Sequence, residues 1–414
     1  MNNFLYVWIY PPEALKPVLC GTLELVGGRL CRFAYAESWI EHPGAFELSV
    51  DLPLRAGAFE PLHDQLIHPI FEDAGPDRWG RRIIEKTFNL PRRSEIDYLA
   101  VAGEDRIGAL AFSESPDEYL PSSEQALRGA DLGALLAAAQ ALERRDEISD
   151  DMRRLLRPGT SAGGARPKAI IEDQGRRWIA KFPAEGDTVD VCAIEHASLR
   201  LAHACGITVP DSMLVQARGR NILLVERFDR DAQGARRHFC SAKTMLLAEG
   251  IEAKDASYAD LAMSVRRYSS VPTSDAHEVF RRMAFNVLME NTDDHEKNHA
   301  FLWHSDRWNL SPAYDIQPQL QNIGYQQLIV GKDRYEPTLQ NVMSDCERFM
   351  LSEDEARSLL ADMLERVSDW QQAFAIEGVS EQDIAQCRQY VRVDTLVGSW
   401  NEMNRSKKRA RQRM

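Results

Sequence analysis

Through the first part of the chain, apolar and polar positions alternate with a period of two. Tyr6-Val7-Trp8-Ile9-Tyr10 is an aromatic and β-branched run stopped by Pro11-Pro12, which predicts a strand. Residues 22–26 and 29–35 flank Gly27-Gly28, and because glycine tolerates positive φ this pair predicts a hairpin turn. Phe46, Leu48, Val50 and Leu52 alternate with polar neighbours and predict a half-buried strand, and residues 103–112 predict another short one. Residues 71–80 read as a loop entering a helix that carries Ile83 and Ile84, and residues 122–148 have the Ala, Leu, Glu and Arg content of a helix.

Further on, the period changes. Ala169-Ile170-Ile171 and Trp178-Ile179-Ala180-Lys181-Phe182 bracket the turn residues Asp173-Gln174-Gly175, a second hairpin. Ile194, Ala197, Leu201 and Ala204 recur at helical spacing, whereas Asn221-Ile222-Leu223-Leu224-Val225 reads as a buried strand that ends in the charged run Glu226-Arg227-Phe228-Asp229-Arg230. Asp275 with Glu278 predicts the cap of a helix that buries Val279, Phe280, Met283, Ala284, Val287 and Leu288. Short strands over 300–304 and 307–310 follow, then two long helical stretches, 353–374 and 381–403. The expected class is α+β, in three parts: a β-rich subdomain over 1–120, a sheet-bearing part over 121–230 and a helical part over 231–414.

Composition narrows the function classes. A chain of 414 residues exceeds one ordinary core, and 44% apolar with 27% charged residues is the balance of a soluble globular protein. No apolar run is long enough to cross a bilayer, and the N-terminus lacks a basic segment and a cleavage site, so a cytoplasmic protein without a membrane partner is expected. Seven scattered cysteines, never spaced Cys-x-x-Cys, argue against a disulfide framework and a structural zinc site. A net charge of −13 disfavours wrapping nucleic acid directly. The basic tail from Arg405 to Arg413 is the local exception, either a solvated end or a phosphate-contacting arm.

The chemistry concentrates in Asn291-Thr292-Asp293-Asp294-His295-Glu296-Lys297-Asn298, read with Tyr314-Asp315-Ile316. Asp293 precedes Asn298 by the spacing of a kinase catalytic loop, in which the Asp receives a hydroxyl proton and the Asn holds Mg²⁺; Asp315 would complete the metal site. Upstream, the glycine-rich entry Gly159-Thr160-Ser161-Ala162-Gly163-Gly164-Ala165-Arg166-Pro167-Lys168 offers backbone N–H groups and a lysine to phosphate oxygens. Lys181 with Glu195 fits the strand-lysine and helix-glutamate pair that orients phosphates, although a surface glutamate on an amphipathic helix fits Glu195 equally. The charged run after residue 225 suits a hinge where backbone meets adenine, or simply a solvated strand end. The same central residues also spell His-Glu-x-x-His over 295–299, which on a helix would bind zinc. The helix breakers before it, the strand after it and Lys297 between the histidines count against that reading.

On these residues the chain resembles the HipA-like serine/threonine kinases, the toxins of bacterial toxin–antitoxin pairs. The resemblance rests on the Tyr-Val-Trp strand, Gly-Glu-Asp-x-Ile-Gly-Ala-Leu at 103–110, the segment 161–168, the run 226–230, the loop 292–298 and Tyr314-Asp315-Ile316. It implies a protein-kinase-like two-lobed fold with an extra N-terminal β-rich subdomain and an all-helical C-terminal lobe. It implies ATP and Mg²⁺ as cofactors, Asp293 as general base, Lys297 steadying the transferred phosphoryl group, and Asn298 and Asp315 on the metal. Lys181 would meet the α/β-phosphates, Glu226, Phe228 and Asp229 would hold adenosine, and Gly163, Gly164 and Lys168 belong to the phosphate-cradling loop. Phosphorylation of Ser161, with Thr160 a neighbouring hydroxyl, would expel that loop and inactivate the enzyme. Arg166, where the family often has Gln, and Gly164 depart from the pattern. The implied partners are a protein substrate carrying Ser or Thr, of the translation machinery in the family, and a HipB-like helix-turn-helix antitoxin through which DNA is met indirectly. A non-catalytic corepressor of kinase fold and a small-molecule phosphotransferase stand as alternatives.

Overall fold

The alternating strands of the N-terminal part pair in space. β1 (Phe4–Ile9), β2 (Val18–Val26), β3 (Leu30–Tyr35), β4 (Ala58–Phe59) and β5 (Leu110–Ser113) form an antiparallel sheet in the order β4-β3-β2-β1-β5. Gly27 and Gly28 turn β2 into β3 with φ of 59° and 71°, the left-handed pair that a tight hairpin requires. The structure, a computed structural model, describes residues 3–62, 65–90, 92–121, 127–128, 131–144, 146, 166–304, 306–321 and 323–411. Ser161, Gly163 and Gly164 lie outside the described residues.

A second sheet is built from β6 (Leu127–Arg128), β7 (Lys168–Asp173), β8 (Arg176–Lys181), β9 (Ser212–Ala217) and β10 (Arg220–Glu226), in the order β6-β7-β8-β10-β9. Gln174 (φ 49°) and Gly175 (φ 76°) close the β7–β8 hairpin. Ile171, Trp178, Ala180, Ile222 and Leu224 share one core with Trp79 and Ile83 of helix Arg78–Thr87 and with Leu135 and Leu142 of helix Leu132–Arg144. A third, small sheet joins β11 (Phe239–Ser241), β12 (Ala300–His304) and β13 (Arg307–Leu310).

The chain divides into two units. Met1–Asp187, Asp211–Ile251 and Ala300–Ser311 make one, which holds all the described strands; Thr188–Pro210, Glu252–His299 and Pro312–Met414 make the other, whose described regular elements are helices. In the helical unit, Val279, Phe280, Met283, Ala284, Val287 and Leu288 of helix Pro272–Leu288 are all buried, as their spacing predicts. The class is thus α+β. All seven cysteines are buried and free, and no described helix is long and apolar enough to cross a membrane.

Four local expectations are corrected. Residues 46–52 form no strand: Phe46, Leu48 and Leu52 are buried, but their backbone is held by side chains. Trp39 Nε1 donates to the Phe46 carbonyl at 3.3 Å, and the Tyr35 hydroxyl both accepts from Leu48 N at 3.0 Å and donates to the Leu52 carbonyl at 2.8 Å. The strand expected over 103–112 begins only at Leu110, because Gly103 and Gly108 take φ of 80°. Asp275 does not cap its helix: Pro272 opens it, and Asp275 in the first turn accepts from Ser269 Oγ at 2.6 Å. The two long C-terminal stretches are broken into Glu353–Ser368 with Trp370–Ile376, and Glu381–Cys387 with Val393–Arg411.

Candidate active site

In the helical unit, helix Pro272–Leu288 delivers the chain to Glu290, a non-glycine residue at φ 53° that reverses its direction. The reversal is held from both sides. Asn291 N–H returns to the Asn286 carbonyl at 2.9 Å, the Glu290 carbonyl accepts from Thr292 N and Gln319 N, each at 2.9 Å, and the buried Glu290 carboxylate pairs with Arg392 at 3.1 Å. Past this corner the chain makes a 3₁₀ turn, Glu296–Asn298. It turns Asn298 back toward Asp293: Asn298 N–H donates to the His295 carbonyl at 2.9 Å, and its Nδ2 to the Asp293 carbonyl at 3.4 Å. Tyr314 reaches the same loop, its hydroxyl donating to the Lys297 carbonyl at 2.7 Å, and so fixes the position of Asp315, which takes φ 59°.

The Asp293 and Lys297 side chains are exposed, while Asn298 is buried. Asp293 Oδ1 accepts from Gln327 Nε2 at 2.7 Å. Its carboxyl is pushed above the ordinary Asp value by partial burial first, with the carboxylates of Asp315 and Asp294 adding to it and His295 and Gln327 opposing it. One loop and its neighbour therefore bring together two carboxylates, an ammonium and an amide.

Beneath this surface lies a buried polar set that sequence reading does not reveal. Asp294 Oδ2 accepts from the Tyr258 hydroxyl at 2.5 Å and faces His299 Nε2 at 2.8 Å. Asn286 Nδ2 donates to the Tyr258 oxygen at 3.2 Å, and Asn291 Nδ2 to Asn286 Oδ1 at 3.1 Å. Burial alone would raise the Asp294 pKa, but His299 and Tyr258 hold it below the usual Asp value. The zinc arrangement does not form: His295 and His299 have extended backbones with φ of −130° and −121°, so no helix carries them on one face. Two adjacent aspartates look alike in sequence, and Tyr258 lies too far back to signal the partnership.

The remaining candidates belong to the sheet-bearing unit. Lys168 and Lys181 stand directly opposite each other across β7 and β8. The Lys168 ammonium is buried and paired with Asp77 Oδ2 at 2.7 Å, and Asp77 also caps helix Arg78–Thr87 by accepting from Gly80 N. Lys181 is half-buried, and Glu195, buried on helix Val191–Ala204, belongs to the helical unit. Glu226 pairs with Arg176, and Phe228 is half-buried.

Asp229 is also buried. Its side chain is 2% exposed and turned inward, accepting from Arg227 Nε and Nη2 at 2.9 and 2.7 Å, Arg230 Nη1 at 2.6 Å and Gly108 N at 2.7 Å. Arg227 and Arg230 continue to the carbonyls of Asp105, Arg106 and Gly108. The charged run is therefore a clamp on the segment before β5, with the Asp229 carboxylate at its centre. A sequence signal for it exists, since the run and the Gly103–Leu110 motif are the two pieces the clamp joins.

Comparison with known proteins agrees with this architecture. The model of the HipA N-terminal domain matches residues 14–113, and that of the HipA-like C-terminal domain matches residues 160–371. Two Sinorhizobium fredii (strain NGR234) proteins, named "Putative kinase Y4mE" and "Putative kinase Y4dM", are each 27% identical to the chain. The first aligns over 327 residues (72% of this chain, 73% of the relative) and the second over 319 (73% of each). Among solved structures, a chain of the Shewanella oneidensis MR-1 HipA, HipB and operator DNA complex superposes with a TM-score of 0.72 at 17% identity, covering 96% of this chain and 98% of that one, which is a likeness of fold. With the C-terminal model alone matching just over half of the 414 residues, the chain belongs to the HipA family.

Proposed function

We propose that the protein is an ATP- and Mg²⁺-dependent serine/threonine protein kinase of the HipA type. The observation that carries this reading is the convergence on one loop of Asp293, Lys297 and Asn298, with Asp315 held beside it by the Tyr314–Lys297 contact. The kinase names of the relatives support it. Asp293 accepts the proton of a substrate hydroxyl in this reading. Lys297, exposed at the loop surface, offers a positive charge to the transferred group.

The donors fit magnesium. Asp315 supplies a carboxylate, and Asn298, its amide nitrogen turned to the Asp293 carbonyl, leaves its amide oxygen for a hard cation. Bound Mg²⁺ supplies charge neutralisation on phosphate oxygens. Lys181 and the hinge backbone near Glu226 and Phe228 are the nucleotide contacts in this reading, and Ser161 is the self-phosphorylated site.

The likeness to a HipA chain solved with HipB and operator DNA supports a helix-turn-helix antitoxin as partner, with DNA reached through it. The substrate is a bacterial protein carrying Ser or Thr, of the translation machinery in the family's manner. The test is incubation with γ-³²P-ATP, Mg²⁺ and a cell lysate. Asp293→Asn and Asp315→Asn should each abolish label transfer while circular dichroism and melting stay unchanged; full activity in either variant overturns the assignment.

A further inference from the structure

Asp293 and Lys297 are exposed side chains on a loop with one 3₁₀ turn, so their geometry has to be set from the inward side. On that side a single oxygen, Asp294 Oδ2, takes both the Tyr258 hydroxyl at 2.5 Å and His299 Nε2 at 2.8 Å. Tyr258 is 0% exposed, His299 2% and Asp294 3%, so bulk water does not compete for these bonds. The chain of bonds runs on through Asn286 to Asn291. Asn291 lies before Asp293 and His299 directly after Asn298, so the network grips the loop at both ends. Its anchors are two helices, Tyr258–Tyr268 and Pro272–Leu288. The three side chains proposed for chemistry hang between those grips.

We infer that Asp294 is the positioning residue of the loop, fixing Asp293, Lys297 and Asn298 through Tyr258 and His299; this rests on the reading of Asp293 as base. A carboxylate at this site serves two donors, one from helix Tyr258–Tyr268 and one from the far end of the loop, which no side chain without an acceptor does. Asparagine keeps an acceptor oxygen in nearly the same place, whereas alanine strands a buried hydroxyl and a buried imidazole N–H. Displacement of the base by even about 1 Å costs on the order of 10²-fold in rate.

The experiment uses the full chain and the variants Asp294→Ala, Asp294→Asn and Tyr258→Phe, and reads two things. The first is amide hydrogen exchange at Asn298, whose N–H donates to the His295 carbonyl within the loop. The second is steady-state phosphate transfer with ATP varied. Asp294→Ala should speed exchange at Asn298 roughly tenfold or more, with the amides of Pro272–Leu288 unaffected. It should lower kcat on the order of 10²-fold with the KM for ATP unchanged, and Asp294→Asn should recover most of both. Tyr258→Phe, which removes one hydroxyl, should shift both readouts the same way and carries the test if Asp294→Ala does not fold. Wild-type exchange in both Asp294→Ala and Tyr258→Phe, or a KM that rises as kcat falls, overturns the inference. If the wild-type chain transfers no phosphate, the kinase reading fails, and the exchange result alone decides the positioning role.

Discussion

Replacing Asp229 by asparagine separates two roles for one side chain. A carboxylate that contacts adenosine would leave the fold alone when changed and weaken ATP binding. In the structure the group is 2% exposed and sits between Arg227 and Arg230, each 3% exposed, so the expected effect of the change is on the fold. Its pKa is instructive: burial works to raise it, yet the two guanidinium groups and Gly108 N–H hold it far below the ordinary Asp range. The Asp229→Asn variant would keep the shape of the side chain and lose its charge, leaving two buried cations without a counter-ion. Breaking a buried pair from one side costs about 3–5 kcal/mol, and the carbonyls that still accept from Arg227 and Arg230 place the expectation near the lower end. Urea unfolding at pH 7 reads it directly, because all tryptophans except Trp370 and Trp400 belong to the sheet-bearing unit. Faster exchange of the Gly108 amide should accompany the loss. A folded-state pKa below the unfolded one means that the stabilisation is complete above about pH 4–5 and is lost as pH falls toward the folded value. Unchanged urea stability with weaker ATP binding would refute the reasoning.

Gly108→Ala should destabilise the same unit by roughly 3 kcal/mol, since φ is 80° and the new Cβ would lie 3.0 Å from Phe239 Cβ and 3.1 Å from its backbone nitrogen. Combined with Asp229→Asn it should cost less than the sum, because both act on one contact. An additive double variant argues against the clamp. His238 is buried, donates from Nε2 to the Leu48 carbonyl at 2.8 Å, and is pushed down to about 4 by desolvation, its backbone bond opposing. The unfolded chain takes up that proton near pH 6.5, so stability should fall by about 3 kcal/mol as pH drops from 6.5 to 4. His238→Gln should flatten the slope of unfolding free energy against pH by one proton in that window, and an unaltered slope would contradict it.

Both hairpins and the loop around Asp293 are legible in the sequence because their signals are local: paired turn residues between strands, and an acid and an amide at fixed spacing. Burial of Val279 through Leu288 is legible for the same reason, since helical period reports the inward face directly. What escapes such a reading depends on partners distant in the chain. The alternation of Phe46, Leu48 and Leu52 reports burial correctly, but a strand needs a neighbouring backbone, and here Tyr35, Trp39 and His238 side chains take that place. Asp229 reads as a surface acid because a charged run at a strand end usually is one; the carbonyls of residues 105–108 that turn it inward lie in another part of the sequence. Asp294 is hidden beside Asp293, the two distinguished only by which way the loop turns.

The third sheet has a bearing on how the chain comes into being. Phe239 pairs with Leu302 and Cys240 with Phe301, so the sheet-bearing unit takes in strands made after much of the helical one. A growing chain that has emerged only to residue 299 carries β11 with an open edge and no β12 to cover it. Helices Tyr258–Tyr268 and Pro272–Leu288 are by then already made. Synthesis therefore cannot complete the first unit before beginning the second, and nascent chains stalled in this interval expose an unpaired strand of the kind that invites wrong pairing.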